Sequence, residues 1–286
     1  MINTILIFGY GKWAKKIVNF LKEYKVFDEV YIKTSSKFFK IYPRKKVIEF
    51  ENFENIIKTF KYFHICTPVK SHYEIVKINN LNNVKLIIEK PLVKKKIDLK
   101  KIKPFFNSNK IIINYIDLYN PQLLKISKKI HKVSNLNIEF GNKTSFKNKN
   151  ECLNEWLDHP LAIILFLFKK FGKFQLINCT HCKIKNKYYE ILDLRYIIKN
   201  VTIHIKINNK FPASNRIISI TNKSKINEYN FNSKIKDKGK NLLNKNNLNF
   251  LYEDLKSVKN NFFQKFNFHQ KIFEEKQKII MKINEN

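Results

Sequence analysis

The stretch Thr4-Ile5-Leu6-Ile7-Phe8-Gly9-Tyr10-Gly11-Lys12-Trp13-Ala14 decides the fold. An apolar run reads as a buried strand. The G-x-G-x-x-A behind it opens a segment with apolar residues at Trp13, Ile17, Phe20, Leu21 and Tyr24, which is helical spacing with lysines on the other face. In such a strand-turn-helix the first glycine makes the tight turn, and the second lets a pyrophosphate approach the backbone. The small third residue lets helix and strand pack closely, and the free N–H groups of the helix N-terminus face the phosphates. Gly9, Tyr10, Gly11, Lys12 and Trp13 are therefore the expected dinucleotide-binding turn.

Outward from that turn, short β-branched runs alternate with helical stretches through residue 115, the pattern of parallel strands joined by crossover helices. Strands are expected at Thr4 to Phe8, Glu29 to Lys33, Lys46 to Phe50, Tyr62 to Cys66, Lys85 to Glu89 and Lys110 to Tyr115. After Asn120-Pro121 the character changes. A helix to about His131, a strand near Leu136 to Phe140 and a long helix from about Cys152 to Lys170 precede four strands in quick succession: Phe174 to Ile184, Tyr188 to Ile198, Val201 to Ile207 and Arg216 to Thr221. These read as an antiparallel meander. Asn222 to Asn249 reads as an irregular excursion before two closing helices, about Phe250 to Phe262 and His269 to Ile283. The expected class is α/β: a Rossmann doubly wound parallel sheet over residues 1–117, then an α+β domain with a mainly antiparallel open sheet over residues 118–286.

The formal charge of +33 would ordinarily point to nucleic acid or an anionic membrane. Of the 56 basic residues, however, only Arg44, Arg195 and Arg216 are arginine, and Ile, Asn, Phe and Tyr are abundant while Gly and Pro are scarce. Lys, Asn, Ile, Phe and Tyr share AT-rich codons, so base composition accounts for the charge, and no nucleic-acid partner is expected. The apolar run Leu161 to Phe168 is shorter than the roughly 20 residues that span a bilayer. With no signal-peptide pattern at the N-terminus, a cytoplasmic protein without a membrane partner is expected. Cys179 and Cys182 are closely spaced, but Cys66 and Cys152 lie far off, so reduced thiols are expected rather than a metal site.

The second strand ends Lys33-Thr34-Ser35-Ser36-Lys37, without the acid that accepts from ribose hydroxyls. Basic and hydroxyl groups suit a 2'-phosphate, so NADP is preferred over NAD, with Lys33, Thr34 and Ser35 in the site.

Several later segments resemble the glucose-fructose oxidoreductase / inositol dehydrogenase (Gfo/Idh/MocA) family. His64-Ile65-Cys66-Thr67-Pro68-Val69-Lys70-Ser71-His72 is similar to that family's strand-Thr-Pro loop with a downstream histidine. Leu86-Ile87-Ile88-Glu89-Lys90-Pro91-Leu92 matches its Glu-Lys-Pro signature, and Asn114 to Pro121 resembles the crossing into its second domain. The resemblance implies that Thr67, Pro68, His72 and Glu89 lie at the cofactor and that Lys90, at a strand end, holds the substrate oxygen and assists proton transfer. It also implies a carboxylate and a histidine four residues apart in the second domain, here Glu155 and His159 in Glu155-Trp156-Leu157-Asp158-His159. His159 would exchange the hydroxyl proton, Glu155 would orient it or the substrate, and Asp158 is a secondary candidate. Three departures fall on the substrate side: glutamate at 155 where aspartate is usual, Ala162 where an acid is common, and Leu118 where an arginine is common. Asp193, Arg195, His181 and His204 are further polar candidates on the second domain's strands.

The expectation is hydride transfer between a nicotinamide and a secondary alcohol of a sugar, inositol or nucleotide-sugar, by a homo-oligomer. The alternative is a non-catalytic dinucleotide-binding protein of the same fold.

Overall fold

The computed structural model describes residues 2–48, 53–78, 84–142, 144, 146, 148–210, 215–222, 225–231, 247–257 and 261–285. The chain forms two compact units. One comprises Met1–Asn114 with Leu248–His269, the other Tyr115–Asn247 with Gln270–Asn286.

The first unit carries a seven-stranded sheet of β1 (Thr4–Phe8), β2 (Glu29–Lys33), β3 (Phe38–Tyr42), β4 (Lys46–Ile48), β5 (Tyr62–Ile65), β6 (Lys85–Ile88) and β7 (Lys110–Ile113), in the order β4-β3-β2-β1-β5-β6-β7. From β2 to β7 the neighbours are parallel, and β1 is buried at Ile5, Leu6 and Ile7, as a strand covered on both faces requires. The edge differs from a run of six parallel strands. Thr34 accepts at Oγ1 from Lys37 N at 2.9 Å and donates from its own N to Lys37 O at 2.8 Å, reversing the chain after β2. β3 therefore pairs antiparallel to β2, and β4 antiparallel to β3. A parallel return needs a crossover of a dozen or more residues, which the few residues at these turns cannot supply. Residues 49–50 of the expected strand Lys46 to Phe50 lie outside the described residues.

The helix Lys12–Glu23 follows β1 and buries Ala14, Ile17, Val18, Phe20 and Leu21, while Trp13 and Tyr24 stay exposed. The late helix Asn247–Lys256 completes this unit's core through Leu251, Tyr252 and Leu255, with Tyr252 stacked on Phe20 and edge-on to Phe27.

The second unit has a six-stranded sheet of β8 (Asn135–Gly141), β9 (Lys173–Ile184), β10 (Lys187–Ile198), β11 (Val201–Asn208), β12 (Asn215–Asn222) and β13 (Lys225–Asn230), in the order β13-β12-β8-β11-β10-β9. β9, β10 and β11 form the expected meander, but β8 inserts between β11 and β12, parallel to the first and antiparallel to the second. β13 lies inside the segment read from sequence as irregular: its Ile226 is exposed, so it has no apolar alternation to announce it. Residues 223–224 and 232–246 of that segment are outside the described ones. One sheet face buries Leu136, Ile138, Phe140, Leu192, Leu194, Tyr196, Ile203, Ile205 and Ile207; the alternating residues form an open polar face.

The expected long helix from Cys152 is two helices, Glu151–Trp156 and Asp158–Phe168, meeting at Leu157. Pro160 has no N–H to give the carbonyl of Trp156, so an unbroken ladder cannot run through this point. All four cysteines are free thiols. Among the described residues no helix is long and apolar enough to cross a membrane.

Candidate active site

Gly9 has φ +91°, and a Cβ there would lie 3.0 Å from the carbonyl oxygen of Cys66 and 3.2 Å from Thr67 Cγ2. Both its handedness and the close approach of the β5 loop exclude a side chain. Gly11 is different: a Cβ on it would meet nothing within 4 Å. It is the N-cap of Lys12–Glu23, no side chain caps the helix, and no acid occupies the first turn. Open space in front of uncapped N–H groups, with Lys12 exposed beside it, is a donor set that fits a pyrophosphate. Ala14, 1% exposed, sits against the sheet as the motif's small third residue. Tyr10 leans edge-on against Phe39, with Lys15 over its ring.

At the end of β2, Thr34 is spent on the turn just described, leaving Ser35, Ser36 and Lys37 exposed. Lys33 folds back: its Nζ donates to Thr34 O at 2.6 Å and lies over the Phe53 ring, and burial lowers its pKa.

Behind the turn runs a hydrogen-bonded relay. Glu89 Oε1 accepts from Trp13 Nε1 at 2.7 Å, Asn114 Nδ2 at 2.8 Å and His64 Nε2 at 2.8 Å. Burial opposes ionisation of Glu89, but His64, Asn114 and Trp13 more than offset it and hold the carboxyl below its ordinary range. An ionised carboxylate only accepts, so His64 donates from Nε2, and its Nδ1 lies 2.6 Å from the Tyr252 hydroxyl. Burial, with Cys66 and Glu89 nearby, pushes the Tyr252 phenol well up and keeps it a donor. Ligand-type atoms of His64, Cys66 and Glu89 lie within 4.8 Å of one another. Both nitrogens of His64 lie within hydrogen-bond distance of protein groups, and burial pushes the Cys66 thiol well up.

Lys90 follows Glu89, half-buried, joined to Pro91 by a cis bond. His72, expected at the cofactor, is buried with Nε2 2.9 Å from Thr67 O and Nδ1 3.2 Å from Leu92 O. It ties the Thr67-Pro68 loop to the chain just after Lys90-Pro91. Thr67 accepts from the Ser71 hydroxyl at 2.8 Å, and Pro68 is exposed.

In the second unit, His159 is buried at the second residue of Asp158–Phe168, and its Nδ1 lies 2.6 Å from Asp117 Oδ2. Asp117 stands in the 3-10 turn Ile116–Tyr119, which hands over to the helix Pro121–Lys129 through the Asn120 cap. Arg216 on β12 donates from Nη1 to Asp117 Oδ1 at 3.0 Å. Burial alone would raise the Asp117 pKa, but Arg216 and His159 outweigh it and hold the carboxyl far below the usual carboxylate range. Phe140 and Trp156 flank both His159 and Arg216. Glu155, expected beside His159, is exposed near the end of the preceding helix; the carboxylate on His159 is Asp117. Asp158 is buried against Lys276 at 2.7 Å.

Sequence reasoning singled out neither Asp117 nor Arg216 for a role. Arg195 drew notice instead, but it sits with Asp193 and His204 on the open sheet face, opposite to Arg216 and Phe140. A shallow groove of about 340 Å³ there is lined by Glu139, Asp193, His204 and Lys206 among others. His181 is taken up by Glu190, 3.2 Å from its Nδ1.

No family model matches the sequence, and no curated protein sequence does. Solved structures match over nearly the whole chain. A myo-inositol dehydrogenase from Corynebacterium glutamicum aligns with TM-score 0.71 and 9% identity over 97% of this chain and 95% of its own. A Gfo/Idh/MocA family oxidoreductase from Vibrio cholerae gives 0.66 and 12% over 99% of each, and a UDP-N-acetylglucosamine 3-dehydrogenase from Acidithiobacillus ferrooxidans gives 0.69 and 12% over 97% of each. At these identities the likeness is one of fold: the chain has the fold of the Gfo/Idh/MocA oxidoreductases, as its Glu-Lys-Pro and glycine-turn motifs implied.

Proposed function

We propose that this chain is a nicotinamide-dependent oxidoreductase that moves a hydride between NAD(P) and a secondary alcohol or ketone of a sugar, inositol or nucleotide-sugar. The observation that carries the reading is the open space at Gly11 in front of an uncapped helix N-terminus, in a chain with this fold. When bound, the nicotinamide supplies the hydride acceptor or donor. NADP is favoured, because Ser35 and Lys37 are exposed at the end of β2 and no acid stands there.

The chain's own residues then have distinct work. Backbone N–H groups from Gly11 onward hold the pyrophosphate. Lys90 donates to the substrate oxygen and steadies negative charge developing on it. In the oxidation direction His159 accepts the hydroxyl proton, and Asp117, with Oδ2 2.6 Å from Nδ1, stabilises the imidazolium that forms. In reduction the same proton returns. On this reading Asp117 takes the orienting role that the family resemblance implied for Glu155. On this reading the enzyme works in the cytoplasm as a homo-oligomer.

The test is the absorbance of the reduced nicotinamide against a panel of sugars, inositols and nucleotide-sugars. Wild type turns over at least one of them, and Lys90→Ala and His159→Ala each lose about 10²-fold or more in kcat. Equal rates in all three proteins overturn the catalytic assignment. Cofactor binding without turnover on any substrate indicates a binding protein.

A further inference from the structure

We infer that Arg216 is an oxyanion-binding, specificity-determining residue beside His159, and that the substrate carries a carboxylate or phosphate. This rests on the dehydrogenase reading above, which supplies His159 with its substrate.

Arg216 projects from the covered face of β12, opposite Phe140 in register. Its guanidinium carbon lies 5.4 Å from the Trp156 ring centre and 5.9 Å from that of Phe140, so two aromatic rings restrain it. One nitrogen, Nη1, reaches Asp117 Oδ1 at 3.0 Å. A guanidinium has five N–H donors in a rigid fork, and Asp117 is its only side-chain acceptor among the described residues. The side chain is 23% exposed, so the remaining donors are not sealed into the core. A planar cation positioned by rings and a carboxylate, with donors to spare, matches the paired oxygens of a carboxylate or phosphate.

Composition strengthens the point. This chain uses lysine for nearly every basic position, and arginine at only three. Arg44 and Arg195 are exposed, whereas Arg216 is built into a buried cluster where a lysine could neither stack nor fork.

The charge count agrees. Asp117 is held ionised and is the one carboxylate shared by Arg216 and His159. With His159 neutral the cluster is balanced. Once His159 has taken the hydroxyl proton, the cluster gains a positive charge, which a further anion would offset. An anionic group on the substrate provides it in the proton-transferred state, where it aids catalysis.

The experiment is calorimetric titration of the NADP-loaded protein with glucuronate, glucose 6-phosphate and glucose, using wild type, Arg216→Gln, Arg216→Lys and Arg195→Gln. The last controls for the generally basic surface, since Arg195 lies on the opposite sheet face. Wild type and Arg195→Gln are expected to bind at least one of the two acids about tenfold or more tighter than glucose. Whichever acid is preferred identifies the oxyanion. Arg216→Gln should bind that acid no better than glucose. No preference in wild type, or full preference in Arg216→Gln, overturns the inference. If Arg216→Gln has a lowered melting temperature, Arg216→Lys decides: weakened preference upholds the role of the fork, and undiminished preference overturns it. An anion preference without hydride transfer in the absorbance assay would sink the dehydrogenase reading and leave the oxyanion site standing.

Discussion

Trp13 Nε1 donates to Glu89 Oε1 across 2.7 Å, joining the first turn of the helix Lys12–Glu23 to the residue immediately before Lys90. His64 and Asn114 converge on the same oxygen, so one carboxylate aligns three strand ends with the glycine turn. Glu89→Gln replaces part of that acceptor with an amide whose N–H groups face other donors. It should cost about 3 kcal/mol of stability, read from denaturant midpoints, because partly buried donors lose a charged acceptor.

Acid should find the same two carboxylates. Glu89 and Asp117 both have pKa values lowered on folding, from ordinary values of 4.5 and 3.8. Each therefore contributes stability that is present above its unfolded pKa and is lost as pH falls through the lowered folded pKa. Melting temperature should drop as pH is taken below about 4, and Glu89→Gln and Asp117→Asn should each show a shallower drop than wild type. Parallel curves for all three would remove these groups from the account of acid stability.

The two glycines should respond oppositely. Gly9→Ala forces a Cβ toward the Cys66 carbonyl at a positive φ and should destabilise the fold by about 2 kcal/mol. Gly11→Ala meets open space, so the melting temperature should hold while NADPH affinity falls. A stable Gly9→Ala protein would contradict the described turn.

The two readings of the second-unit carboxylate can be separated by paired amide substitutions. Asp117→Asn should lower kcat about 10²-fold with the KM for cofactor unchanged, and Glu155→Gln should leave kcat within about threefold. The reverse pattern would restore Glu155, the assignment that the family resemblance implies.

What local spacing encodes was legible beforehand. The glycine turn, the helix behind it and most strand positions follow from contiguous residues, and so does Lys90 at a strand end. The β3–β4 hairpin was not, because a threonine-mediated reversal at Thr34 looks like any polar loop. The family resemblance pointed to Glu155, four residues before His159 on what reads as a single helix, but Leu157 and Pro160 interrupt that helix and Glu155 is exposed. Asp117 and Arg216 stand 99 residues apart, and no short-range pattern joins residues at that separation.

The proposed preference for NADP rests on the end of β2. Lys37→Ala should weaken NADPH binding by about tenfold and leave NADH binding unchanged, since only NADPH carries the 2'-phosphate. Equal losses for both cofactors would assign Lys37 a general electrostatic role.

The measurement that bears most directly on the whole reading is equilibrium titration of NADPH and NADH, followed by dinucleotide fluorescence, on wild type and Gly11→Glu at matched melting temperature. A carboxylate placed in the open space before the helix N-terminus should abolish saturable binding that wild type displays for at least one of the two. No saturable binding in wild type, or wild-type affinity in Gly11→Glu, would contradict a dinucleotide at this turn.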